Sequence, residues 1–191
     1  MEAFLIATGV VALAEIGDKT QLLAFILAAQ FRKPIPIILG ILIATLANHA
    51  LAAAAGASIA AVIDPQILRW VLGLSFIAMA AWILVPDSCD EDDAKLARFG
   101  VFGTTLIAFF LAEMGDKTQV ATVALAAQYQ SIVAVVAGTT LGMLIANVPA
   151  VLLGERIAQR LPVRLVHRIA AAIFAILGLV TLLGAGAVWG F

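Results

Sequence analysis

The sequence predicts an all-α membrane protein of six transmembrane helices, arranged as two inverted three-helix repeats. Three observations carry that prediction. Of the 191 residues 64% are hydrophobic and only 12% charged, and the mean hydropathy is +1.13, against roughly 45–50% apolar residues in soluble domains. The apolar residues show none of the period-two alternation of barrel strands, so helices must satisfy the backbone in lipid. Finally, an eight-residue block occurs twice at a fixed offset.

Polar breaks at Phe31 to Pro36, Asp64 to Gln66, Asp87 to Arg98, Tyr129 to Ser131 and Glu155 to Arg168 delimit six segments. They run approximately over residues 3–30, 35–63, 67–86, 99–128, 132–154 and 165–190. Each supplies the roughly 20 apolar residues that a span requires. The first starts without the basic region of a signal peptide and reads as a retained span. As a straight helix it would be about 42 Å long, more than the hydrocarbon core of about 30 Å, so tilt or a break is expected in it. Six spans leave no room for a soluble catalytic domain. The net charge of −1 does not favour nucleic-acid binding, and the lone Cys89 excludes both a disulfide framework and a Cys/His zinc cluster.

Residues 14–21, Ala-Glu-Ile-Gly-Asp-Lys-Thr-Gln, return at 112–119 as Ala-Glu-Met-Gly-Asp-Lys-Thr-Gln, so residue n matches residue n + 98. The same offset pairs Gly40 with Gly138, Gly56 with Gly154 and Phe76 with Phe174. The chain therefore divides into a first repeat over 1–86, an acidic cytoplasmic linker over 87–98 and a second repeat over 99–191. With three spans per half, the second half enters the bilayer from the opposite side. The loops after spans one, three and five carry Arg32, Lys33, Lys95, Arg98, Arg156, Arg160, Arg164 and Arg168, whereas the other side has only Arg69. By the positive-inside rule those loops are cytoplasmic and both termini lie outside.

Glu15 and Asp18 fall near the middle of the first segment, and Glu113 and Asp116 near the middle of the fourth. An Asp at that depth costs about 2.5–3.5 kcal/mol on insertion scales, so such groups face a partner or a cavity. Helical spacing puts each pair on one face, with Lys19 and Lys117 at its border. Together the two motifs carry four negative and two positive charges, and one divalent cation would balance them. Carboxylate oxygens, supplemented by the neutral oxygens of Gln21 and Gln119 with Thr20 and Thr118, suit the hard ions Mg²⁺, Ca²⁺ or Mn²⁺. Like charges out of water resist ionisation, so protons would replace a departing metal, and metal/proton exchange follows. Lys19 and Lys117 then act as internal counter-ions or as a structural ion pair.

Gly17 and Gly115 interrupt helical runs, either to unwind a turn or to let helices approach closely. Asn48, His49 and Asn147 are secondary candidates for ion pairing or proton coupling, with interhelical hydrogen bonding as the plainer role. The acidic run Asp87 to Asp93 lacks the EF-hand pattern and reads as a solvated loop. Trp70, Trp82, Tyr129 and Trp189 read as interfacial anchors.

The doubled Glu-x-Gly-Asp-Lys-Thr at 15–20 and 113–118 resembles the signature of the Gdt-type divalent-cation transporter family, which includes bacterial manganese exporters and Golgi calcium/manganese transporters. The resemblance covers the whole chain. It implies divalent-cation transport in exchange for protons, with Glu15, Asp18, Glu113 and Asp116 at the essential acidic positions. It further implies Mn²⁺ export across the plasma (bacterial inner) membrane, with Ca²⁺/H⁺ antiport as the close variant and no cofactor. Two other classes compete. An intramembrane aspartyl protease would use Gly17-Asp18 and Gly115-Asp116 as a proton-sharing dyad, a chemistry that the adjacent lysines oppose. A non-transporting scaffold would use the charges only to lock the halves together.

Overall fold

The computed structural model describes residues 1–85, 99–153 and 163–184. It is all-helical, without a strand among the described residues. The helices are α1 (Glu2–Glu15), α2 (Lys19–Phe31), α3 (Pro34–Val62), α4 (Pro65–Trp82), α5 (Gly100–Glu113), α6 (Lys117–Tyr129), α7 (Ile132–Leu153) and α8 (Val163–Leu182). The linker 87–98, Gly154, Arg156, Arg160 and Trp189 lie outside the described residues.

Local chemistry sets the helix ends. Prolines occupy the first turns of α3 and α4, where a missing N–H is harmless. Asp64 caps α4 by accepting from the Gln66 N–H at 2.8 Å. α2 and α6 end on Arg32 and Gln130, both in the left-handed region with φ of 53° and 49°. Each donates its backbone N–H to the carbonyl four residues back, Ala28 or Ala126, at 3.0 Å. These two caps are 98 residues apart, so the duplication extends to backbone irregularities.

Four helices, α3, α4, α7 and α8, are long and apolar enough to cross a membrane. The remaining four, with 13 or 14 residues each, are about 20 Å long at 1.5 Å per residue. They come from the first and fourth apolar segments of the sequence. Each of those segments is therefore two half-helices, and the excess length of residues 3–30 is resolved by a break.

Each repeat's second helix lies along the broken pair of the other repeat: α7 along α1 and α2, and α3 along α5 and α6. Small residues allow it. A Cβ on Gly138 would stand 2.5 Å from the Phe4 carbonyl oxygen and 3.0 Å from the Ala7 Cβ, and one on Gly40 would stand 2.7 Å from the Thr105 Cβ. Gly40 and Gly138 are counterparts, as are Ala7 and Thr105. α4 packs on α8, where the counterpart rings of Phe76 and Phe174 meet with centroids 6.3 Å apart.

Two apolar cores result. One gathers α1, α4, α6, α8 and the start of α7, with Val10, Leu72, Phe76, Leu125 and Phe174 buried. The other gathers α2, the start of α3 and the ends of α5 and α7, with Leu23, Leu27, Ile37, Ile41 and Phe109 buried. Large apolar side chains such as Leu5, Val133 and Leu179 point outward, as a lipid-facing surface requires.

Candidate cation site at the helix breaks

The two breaks share one conformation. Ile16 (φ −65°, ψ 113°) and Met114 (φ −65°, ψ 120°) are extended. They precede Gly17 (φ 84°) and Gly115 (φ 76°). The N–H groups of Asp18 and Asp116 then return to the carbonyls of Glu15 and Glu113, both at 3.1 Å. These are type II turns, whose third residue needs a positive φ and therefore glycine. At Gly115 an added Cβ would meet nothing within 4 Å among the described residues, and the positive φ by itself requires glycine there.

Gln21 and Gln119 brace the turns. Their side-chain oxygens accept from the Gly17 and Gly115 N–H groups at 2.9 and 2.6 Å. The Gln21 amide donates to the Ala146 carbonyl at 2.9 Å, and that of Gln119 donates to Asn48. Both glutamines thus hold the break open at one end and anchor it to α7 or α3 at the other. The oxygens expected to face an ion are used on backbone.

Each break places a glutamate at a helix C-terminus and an aspartate at the N-cap of the next half-helix. Glu15 and Glu113 are 0% exposed, and Asp18 and Asp116 only 3%. Thr20 donates to Glu15 Oε2 at 2.5 Å and Thr118 to Glu113 Oε2 at 2.9 Å. The opposite oxygens, Glu15 Oε1 and Glu113 Oε1, have no hydrogen-bond partner among the described residues. One oxygen each from Glu15, Glu113 and Asp116 lie within 4.8 Å of one another. A single hard cation, with metal–oxygen distances of about 2.1–2.5 Å, holds ligand oxygens up to about 4–5 Å apart.

Asp18 is not one of those three. The lysines pair across the repeats: Lys19 Nζ lies 3.0 Å from Asp116 Oδ1, and Lys117 Nζ lies 3.7 Å from Asp18 Oδ1. Lys117 also donates to the Val85 carbonyl at 3.1 Å. Each aspartate thus faces the ammonium group of the other motif.

The secondary candidates sit beside this centre. Asn48 donates to the Phe110 carbonyl at 3.1 Å and accepts from Gln119. Its neighbour His49 is fully buried, with neither ring nitrogen hydrogen-bonded among the described residues. Asn147 donates to the Met143 carbonyl at 3.1 Å. Sequence reasoning missed His167, whose Nε2 donates to the Ile16 carbonyl in the first turn at 2.7 Å. Its neighbours Arg164 and Arg168 drew attention only as loop charges. Nothing in the chain's local pattern marks a histidine near that loop as a partner of a break some 150 residues earlier.

A family model described as divalent cation/proton antiporter GDT1 matches residues 3–91 and 101–188, one stretch in each half of the chain. A Vibrio cholerae serotype O1 protein described as a "Putative manganese exporter" is 52% identical over 182 residues, covering 95% of this chain and 90% of that protein. No solved structure matches.

Proposed function

This chain belongs to the GDT1 family of divalent cation/proton antiporters, and from that premise we propose that it exports Mn²⁺ across the bacterial inner membrane in exchange for protons. One observation carries the reading: two fully buried glutamates, each with an unpartnered oxygen, converge with Asp116 within 4.8 Å. An unpaired buried carboxylate is too costly to persist in lipid. Two of them give the site alternative loads, one doubly charged ion or two protons.

In this reading Glu15, Glu113 and Asp116 hold the ion, and Asp18 keeps Lys117 in place beside it. Thr20 and Thr118 orient the glutamates. Gln21 and Gln119 keep the turns open, while Asn48 ties the second turn to α3. Lys19, 27% exposed, swings between Asp116 and solvent as the ion arrives, while Lys117 stays sealed against Asp18 and Val85. His49 and Asn147 offer polar atoms on α3 and α7 for a proton route.

The membrane arrangement is part of the proposal. Each broken pair of half-helices counts as one span, which with α3, α4, α7 and α8 makes six. The repeats are 1–86 and 99–191, inverted about an axis near Phe76 and Phe174, and the termini lie outside. Matched caps, matched turns and counterpart glycine contacts support it. Ca²⁺/H⁺ exchange is the second reading, because a spread of 4.8 Å also suits Ca–O distances of about 2.3–2.6 Å. The protease reading is weakened by the lysine opposite each aspartate.

The test is metal flux in proteoliposomes with Mn²⁺ and with Ca²⁺, with and without a pH gradient. Glu15→Gln and Glu113→Gln are each expected to remove flux while leaving a folded, monodisperse protein. Full flux in both variants overturns the site, and flux indifferent to the pH gradient overturns proton exchange.

A further inference from the structure

The two breaks share a backbone but not a cover. Val163 in the first turn of α8 presses on Gly17, leaving no room for a Cβ there. One turn on, His167 donates to the Ile16 carbonyl at 2.7 Å. The counterparts of Val163 and His167 are Pro65 and Arg69, at the start of α4. They are nowhere near the second break: Arg69 lines a cavity of about 600 Å³ with Asp64, Gln128 and Gln130, at the far end of α6 from Gly115. Among the described residues nothing lies within 4 Å of where a Gly115 Cβ would stand, and Met114 is 57% exposed, although Gly17 and Gly115 are both exposed.

Helix packing repeats the asymmetry. α8 packs on α1 and α4 on α6, whereas the counterpart contacts, α4 on α5 and α8 on α2, are not formed to any comparable extent. The α4–α8 pair therefore sits wholly on the half of the molecule that holds α1 and α6. A chain of two related halves has a second arrangement available, generated by exchanging each residue with its counterpart 98 positions away.

We propose that the α4–α8 pair is the moving gate of the transport cycle, docked here on the first break, and that in the opposite state α4 docks on α5 and contacts the second break. In that state Pro65 lies over Gly115, and Arg69 donates to the Met114 carbonyl as His167 now does to Ile16. The movement needs slack where Ile63 and Asp64 alone join α3 to α4. Beyond Gly56, α3 buries no residue up to Val62, so its last turns are the easiest part of that helix to unwind. Each docking position presses on one break while releasing the other, the exchange that access from alternate sides requires.

The proposal rests on the exchanger reading, and thiol cross-linking tests the two separately. In a Cys89→Ser background, which removes the one native thiol, Gly9→Cys with Ile173→Cys reports the present state. Both positions line the apolar cleft of about 280 Å³ between α1 and α8, and Gly9 has space for a side chain. Their counterparts, Ile107→Cys with Ser75→Cys, report the opposite state. A short bifunctional thiol reagent is expected to link both pairs in membranes, and Mn²⁺ or an imposed pH gradient is expected to raise one yield while lowering the other. Either link should arrest Mn²⁺ flux, with recovery when a reducible reagent is cleaved. Failure of the Ile107–Ser75 pair to link under any condition, while Gly9–Ile173 links fully, overturns the gate. So does undiminished flux in the linked Gly9–Ile173 protein. Linking is read by mobility on a gel, so the gate is decided even if the parent carries no metal and the exchanger reading falls.

Discussion

The first and second breaks differ by one residue in the eight-residue block, Ile16 against Met114, and they share turn type, glutamine brace, threonine donor and cross-repeat lysine. What differs is the company they keep. Val163 and His167 of α8 contact the first, and the second has no such contact among the described residues. The lysine from the second break is sealed, 2% exposed and also bonded to Val85, while the lysine from the first is 27% exposed. The lesson is that the motif sets the chemistry and the packing around it sets the moment in the cycle.

Substitutions matched across the repeats would break or sharpen that comparison. The largest difference is expected at the lysines. Lys117→Met strips the counter-charge from a sealed aspartate, and removing one partner of a buried pair costs about 3–5 kcal/mol. Lys19→Met removes a partly solvated ammonium but leaves Asp116 as buried as Asp18, so it should cost less, about 1–3 kcal/mol. Thermal unfolding in detergent reads both, and equal losses would mean that the two pairs are equally buried on average.

At the turns, Gly115→Ala forces a left-handed residue at about 1–2 kcal/mol. Gly17→Ala carries the same strain and must also displace Val163, so it should be the worse of the two in the same melt. A reversal would show that the first break spends most of its time uncovered. At the threonines the readout is metal affinity. Thr20→Val and Thr118→Val each remove a hydrogen bond to a glutamate of the proposed site, and Mn²⁺ affinity should fall about 10-fold, the low end of what is lost with groups that orient metal ligands. Isothermal titration would detect it, and unchanged affinity in both would remove the threonines from the site.

Much of this was legible in the sequence because the signals were one-dimensional. Apolar runs gave the helices, the 98-residue offset gave the paired motifs, and carboxylates within apolar segments pointed to the cluster that Glu15, Glu113 and Asp116 form. The break was half legible. The first segment was too long for a straight span, yet a glycine within an apolar run serves close packing as readily as a turn. What decides it is Gln21 or Gln119 reaching back to the glycine N–H, a contact that helical periodicity does not reveal.

The pairing of each lysine with the opposite aspartate was beyond reach, because spacing of one residue suggests that Asp18 and Lys19 belong together. Their side chains diverge where the helix restarts. The role of the glutamines shifted for the same reason: a freed backbone N–H within lipid needs an acceptor, and the nearest side-chain oxygen supplies it. Asp64, by contrast, could be read as a cap from its position before Pro65.

The crossed lysine–aspartate pairs bear on how the chain is assembled. A half alone would lack the aspartate that its lysine meets across the molecule, so each half completes an ion pair of the other. Two copies of a single half, inserted in opposite senses, would satisfy both pairs with one sequence. The fused chain keeps that reciprocity while letting its halves drift apart, which is how one of them came to carry a histidine where the other has an arginine.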